Sequence, residues 1–402
     1  MESLFTHAAP YVGYVYPNET DIPWGELIVV YPYITGLVAG AFIVSSFYHV
    51  FGMRQFRPIA RFALLTALCF LLFAPMPLLF HLGRPERAFN AVITPHWTSA
   101  MAAFGYVAGF YLVILVLEVW FAFRPDIVAK SKTAEGPLRL LYRGLTLGSD
   151  DVSPAALAYD QKWARALAII GIPSAAGLHG YVGFIFGSLK SREWWSSDLM
   201  PIIFLLSAIV SGVALLVVLY VVVWKVRRVE LDDDCLKGLA KVMWAFLIVV
   251  LVVEGLEYVE MFYRAREGID TIMQLIKGPL RTGLLIQALG SAAAFMMLTA
   301  LIALRTQGRS LMVWLTLSAV LLLIAVLAMR WNVVIGGEEL SKTMKGLLTF
   351  QVTFLGREGV LTSLLLLAGP FVALWILARL LPPWDEGRLE PAIAGLRSTA
   401  RR

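Results

Sequence analysis

Residues 199–224 read LMPIIFLLSAIVSGVALLVVLYVVVW, a stretch without a single charge. A helix of about 20 apolar residues crosses a hydrocarbon core about 30 Å thick, so this run alone predicts a membrane span. Eight further runs have the same character, at about 27–51, 62–82, 98–123, 163–189, 238–262, 282–304, 310–335 and 360–381. Across all 402 residues, 59% are apolar and 15% charged, with a mean hydropathy of +0.75. That balance excludes disorder and exceeds what a soluble core can bury. The expected fold is an all-α integral membrane protein with about nine transmembrane helices.

Two stretches qualify that count. The segment from Glu338 to Glu358 is semi-apolar and holds Gly346 and Gly356. It reads as interfacial or re-entrant, with a tenth span as the alternative. The connection 124–162 is polar, with Pro125, Pro137 and Pro154, and is the only one large enough for a small extramembrane element.

Formal net charge is +6 and the pI about 9.3. In a membrane chain these basic residues report orientation rather than nucleic-acid binding. Arg54, Arg57 and Arg61 follow the first span, seven residues from Arg124 to Arg165 follow the third, and further clusters follow spans five, seven and nine. They outnumber the basic residues of the opposite loops 22 to 11. The expectation is a prokaryotic cytoplasmic-membrane protein with its N-terminus outside and, with nine spans, its C-terminus inside.

Thr35-Gly36-Leu37-Val38-Ala39-Gly40 in span one is matched by Ser207-Ala208-Ile209-Val210-Ser211-Gly212 in span five. Small residues on such faces let membrane helices approach closely. The four-span offset makes the copies parallel, which predicts two four-helix bundles plus a C-terminal helix. The expected division is an outer segment 1–26, bundles at 27–189 and 190–335, an interfacial piece 336–359, and a helix with a basic tail at 360–402.

Charges at membrane depth are costly and mark function. Glu254, Glu257 and Glu260 recur at i, i+3 and i+6, along one helical face. With span six running outward they lie in its outer half; His81, Glu26, Arg281, Arg330 and Glu358 also fall on the outer side, and His179 at mid-depth or slightly outside it. Snorkelling to water is the simpler account of Glu26, Arg281 and Glu260. Glu118 and His49 lie at inner helix ends, where they would form the inner exit of a proton path. The two cysteines, Cys69 and Cys235, form no cluster framework, and there is no Cys-x-x-Cys-His, phosphate loop or zinc motif. Only His179 is clearly mid-membrane, so a bis-histidine haem is not expected. A pocket of histidines and buried carboxylates suits hydrogen bonding and proton exchange with a quinol.

His81-Leu82-Gly83-Arg84-Pro85-Glu86-Arg87-Ala88-Phe89 resembles the signature of the NrfD / polysulfide-reductase membrane-subunit family. Trp24-Gly25-Glu26, the run Tyr31 to Gly40, and Trp194-Trp195-Ser196-Ser197-Asp198-Leu199-Met200-Pro201 look similar to the same family. Met329-Arg330-Trp331-Asn332-Val333-Val334-Ile335-Gly336-Gly337 resembles its long branch, of roughly 400 residues. Thr94-Pro95, Thr98 to Met101 and the run from His179 to Gly187 look most like the DsrP-type subgroup of sulphite-reduction-associated complexes.

The resemblance implies paired four-helix bundles, a quinone (menaquinone or ubiquinone) site near the outer face, and no haem or iron–sulphur cluster in this chain. It implies a partner iron–sulphur subunit with ferredoxin-like clusters on the outer face, within a multisubunit redox complex. The family's quinone residues would map to Trp24, Glu26 and Tyr33, to His81 and Arg84, and to His179 and Tyr181. Catalysis would rest on His179 or His81 with Glu254 or Glu257, and a proton path on Glu118, Glu254, Glu257 and Glu260. Shorter members have eight spans, so the ninth is a departure. The rival readings are a proton- or ion-translocating transporter module and a membrane anchor without a working site.

Overall fold

The computed structural model describes residues 22–265 and 268–384. The first 21 residues of the outer segment, Arg266 and most of the basic tail therefore lie outside the described residues. Nine helices among the described residues are long and apolar enough to cross a membrane. No strand forms among them beyond one isolated bridge, Leu340 to Leu347. The chain is a multi-pass membrane protein.

The first four spans are α1 (Glu26–His49), α2 (Arg57–Phe73) continued by α3 (Met76–His81), α5 (Ala100–Thr133) and α7 (Pro154–Gly187). A short α4 (Asn90–Ile93) lies in the loop before α5, and α6 (Gly136–Leu145) joins α5 to α7. The second four are α8 (Met200–Val226), α9 (Asp233–Arg264), α11 (Arg281–Ala303) and α12 (Gly308–Glu339), with α10 (Ile269–Lys277) before α11. The ninth span is α13 (Val360–Leu380), which packs against α2. Within the first four spans α1 pairs with α2 and α7, and α5 with α7. Among the second four α8 pairs with α9 and α12, and α11 with α12.

Local chemistry sets the helix ends. Ser153 caps α7 by accepting from Ala156 N at 3.2 Å, and Pro154 fills the first helical position. Asp232 caps α9 by accepting from Cys235 N at 2.9 Å, with Asp233 and Asp234 favourably placed against the helix dipole. The second span breaks between Phe73 and Met76, where Pro75 and Pro77 interrupt the hydrogen-bond ladder.

Two loops differ from expectation. The polar connection 124–162 is largely helical, because α5 and α7 run on beyond the apolar stretch and α6 packs beside α5. Buried ion pairs compensate the polarity there. Arg124 makes a two-oxygen contact with Asp160 at 2.8 Å and donates to Asp151 O at 2.8 Å, while Arg61 pairs with Asp126. Asp151 itself is held below the usual carboxylate range by hydrogen bonds from Ser153 N and Oγ. In 336–359, residues 336–339 belong to α12 and no tenth span forms. The remainder is a strap over the end of the molecule where α1 begins. Thr353 N donates to Glu26 Oε1 at 3.1 Å, Phe350 packs edge-on to Trp331, and Arg357 donates to Phe80 O at 2.6 Å.

The two halves meet where α1 crosses α8. A Cβ on Gly212 would lie 2.6 Å from Gly40 Cα and 2.7 Å from Leu37 O. The two copies of the small-residue motif therefore pack against each other, backbone on backbone. Gly212→Leu is expected to force the helices apart at a cost of about 1–3 kcal/mol or more. Thermal unfolding in detergent, followed by tryptophan fluorescence, should show a lowered midpoint; an unchanged midpoint would contradict this crossing.

Candidate intramembrane site

α9 carries Glu254, Glu257 and Glu260 on the face that turns toward α11, α12 and the loop leading into α8. Glu254 is ten residues from the Arg264 end of α9, about 15 Å along the axis. It therefore lies in the half of the span nearer the Glu26 end of the molecule. Here the helices line an open cleft, walled by Trp194, Tyr258, Met261 and Met329. Its polar side is a relay of three residues. Asn332 Nδ2 donates to Gln287 Oε1 at 2.9 Å, and Gln287 Nε2 donates to Glu254 Oε2 at 3.1 Å. Asn332 Oδ1 has no hydrogen-bond partner although the residue is 2% exposed.

Glu257 also lines the cleft and accepts from Ser197 Oγ at 2.6 Å. Glu257 and Met261 are shared with a second recess, which includes Glu193, Glu260 and Arg264. Glu260 pairs with Arg264 at 2.7 Å. The acids thus run from the buried cleft toward the Glu26 end.

Aromatic and cationic side chains hold the walls in place. Trp194 Nε1 donates to Asn332 O at 2.9 Å and Trp195 Nε1 to Val333 O at 2.6 Å, pinning this loop to α12. Arg192 donates to the carbonyls of Gly337, Glu338 and Leu340 and to the Glu338 carboxylate, closing the C-terminal end of α12. Deeper lies Arg330, 1% exposed, which donates to Phe204 O and to Ser207 Oγ at 2.9 Å and sits 3.9 Å from the Phe204 ring centre.

The sequence expectations divide accordingly. Glu254, Glu257 and Glu260 come together; the other candidates lie elsewhere. His179 is buried with Nδ1 2.7 Å from Ala175 O, in its own helix, and Nε2 against Thr35 O of α1, so both ring nitrogens face backbone carbonyls and the ring bridges α7 and α1. Tyr33 donates to Leu323 O at 3.1 Å and Tyr181 to Ala100 O at 2.7 Å. Trp24 stacks on Trp195 with ring centres 5.3 Å apart, supporting the loop from behind. Glu26 is bonded to the strap, His81 pairs with Glu358 at 3.1 Å, and Arg84 is exposed on its loop. Glu118 is buried in α5. Trp194, Gln287, Asn332, Met261 and Met329 join the site without any expectation from the sequence. Trp194, Met329 and Asn332 do fall within motifs that carry the family resemblance.

A helical membrane protein with nine spans among the described residues and a half-polar cleft between its helices is the class this geometry defines. The chain matches the family described as Polysulphide reductase, NrfD, over residues 15–340, and belongs to that family. It is 35% identical over 240 residues to a selenate reductase subunit of Mesobacillus selenatarsenatis, covering 58% of this chain and 56% of that one. It is 29% identical over 225 residues to a putative dimethyl sulfoxide reductase membrane subunit of Halobacterium salinarum, covering 56% and 49%. An Hdr-like menaquinol oxidoreductase integral membrane subunit of Archaeoglobus fulgidus shares 25% over 239 residues, covering 59% and 52%. The chain thus spans about half the length of the relatives it matches.

Replacing Gln287 with Leu removes a donor from Glu254 and an acceptor from Asn332. Stability is expected to fall by about 1–3 kcal/mol. Adding Glu254→Gln to that variant should recover part of the loss in thermal melts, since a neutral amide is less costly to leave unpaired than a carboxylate.

Proposed function

We propose that this chain is the quinone-interacting membrane subunit of a multisubunit oxidoreductase. It passes electrons between the quinone pool and a partner iron–sulphur subunit. The observation that carries this reading is the cleft itself, inside the membrane: aromatic and thioether side chains (Trp194, Tyr258, Met261, Met329) line it together with Glu254, Glu257, Gln287 and Asn332. A pocket mostly apolar with a few converging polar groups suits a ring bearing two oxygens. The names of the relatives point the same way: one is a menaquinol oxidoreductase subunit and two are reductase subunits.

In this mechanism the quinol ring rests against Trp194 and Tyr258. One hydroxyl bonds to Glu254, and the other lies within reach of Glu257. Oxidation breaks both O–H bonds, sends two electrons to the partner and delivers two protons to these carboxylates; reduction of quinone reverses each transfer. The Glu257-to-Glu260 recess carries the protons on toward the Glu26 end.

Tyr33 and His179 take supporting positions in this scheme because their polar atoms meet backbone carbonyls, and so do Trp24, stacked on Trp195, and His81, whose Nδ1 pairs with Glu358. The Glu26 end faces outward, as the loop charges indicate, and the partner docks there against the exposed loop carrying Arg84. We place the complex in sulphur-compound metabolism, in keeping with the DsrP-type motifs.

Glu254→Gln and Glu257→Gln should each lower quinol-dependent turnover of the membrane complex by about 10²-fold, the scale of a lost acid–base group. Co-purification of the other subunits should be unaffected. Trp194→Ala should weaken binding of a quinol analogue followed by fluorescence quenching. Normal turnover in both glutamine variants would remove the carboxylates from the mechanism, and absence of analogue binding to the intact complex would favour an anchor.

A further inference from the structure

The first bundle contains an acid that the quinone reading leaves unused. Glu118 is 1% exposed and neither carboxyl oxygen has a hydrogen-bond partner. Tyr111, seven residues earlier on the same face of α5, is fully buried and its hydroxyl is likewise unpartnered. An unpaired charge at such a position is expensive, so the carboxyl persists only if it is protonated or exchanges with a mobile cation.

Helix register shows which end of the membrane reaches it. The Phe42 and Tyr111 rings meet edge to face, with centres 5.6 Å apart. Helices α1 and α5 run in the same direction, so His49, seven residues beyond Phe42, lies at the depth of Glu118, seven beyond Tyr111. His49 is half-buried, at the last turn of α1, with Nδ1 beside Ser45 Oγ at 3.0 Å. Beyond Glu118 on α5 come Arg124 and Asp126, paired with Asp160 of α7 and Arg61 of α2. Arg61 keeps a buried, unpartnered Nε. Arg165 of α7 donates to Val50 O, one residue past His49, so it too stands at this depth. These groups lead from Glu118 to the His49 end and away from the cleft.

We propose that Glu118 is a proton-exchanging carboxyl, loaded from the His49 end of the first bundle and assisted by His49. Its ligand is a proton, taken up as the carboxylate becomes a carboxylic acid and given back along the same route. The site is separate from the quinol cleft and does not depend on that reading.

Infrared spectroscopy of the purified full-length chain in lipid nanodiscs tests it without any quinone. A buried protonated carboxyl gives a C=O band that shifts when the sample is moved into D2O. That band should be lost in Glu118→Gln, be retained at a displaced frequency in Glu118→Asp, and be unaffected by Glu254→Gln. His49→Leu should slow its deuterium exchange by about tenfold or more, the scale of a lost proton relay. A band that survives Glu118→Gln overturns the proposal, as does a band suppressed by sodium, which would mark a cation site. Exchange as fast in His49→Leu as in the native chain overturns the assigned route.

Discussion

The crossing of α1 and α8 is the contact on which the rest of the structure depends. Lipid is as apolar as leucine, so burying grease gives membrane helices little reason to associate; close packing and interhelical hydrogen bonds must do it instead. Gly40 and Gly212 allow the two backbones to touch, and Gly36 keeps the next turn open beside Ala208 and Arg330. Each of these helices then receives the fourth helix of the other half, since α7 packs on α8 and α12 on α1. Across that seam Tyr33 of α1 donates to Leu323 O of α12, and His179 of α7 meets Thr35 O beside it.

Polar groups buried in this frame sort into those that hold it and those left to act. His179, Tyr33, Tyr181 and Arg192 spend their donors on backbone carbonyls of neighbouring elements, which suits a solvent where an unmet carbonyl is costly. Arg330 does the same through Phe204 O and Ser207. Glu254 is different: its known partner is a side-chain amide whose other end binds a second amide, so the whole relay can change hydrogen-bond direction without disturbing any helix. That adaptability is what a site needs when its ligand gains and loses protons.

The apolar runs make the spans legible, because length and charge alone decide whether a helix can cross. Spacing makes the acidic face of α9 legible for the same reason, and the duplicated small-residue motif anticipates the central crossing. The cleft's composition is not legible. Gln287 and Asn332 are neutral amides in otherwise apolar spans, and nothing in their spacing says that α11 and α12 turn them toward α9. His179 shows the opposite failure. A histidine at mid-depth invites a functional reading, yet its role follows from how near α1 approaches, which no local pattern encodes. The connection 124–162 reads as a loop from its prolines and polarity. Two of those prolines open helices, and buried ion pairs satisfy the charges.

The two bundles place their acids at opposite depths, and this asymmetry has a consequence for any proton chemistry. Gln287 is six residues into α11, about 9 Å from its start, whereas Glu118 is eighteen into α5, about 27 Å from its start. Both helices begin at the Glu26 end and occupy corresponding places in their halves. The duplicated frame therefore carries one polar station near each face rather than two at one level. Between them lie Arg330 and the close-packed α1–α8 crossing, where a fixed positive charge and touching backbones oppose a continuous proton file. A carboxyl relay at the Glu26 end can then serve a lipid-soluble ligand while the Glu118 station exchanges protons with the other side. Any coupling between them has to pass through a rearrangement of helices around Arg330.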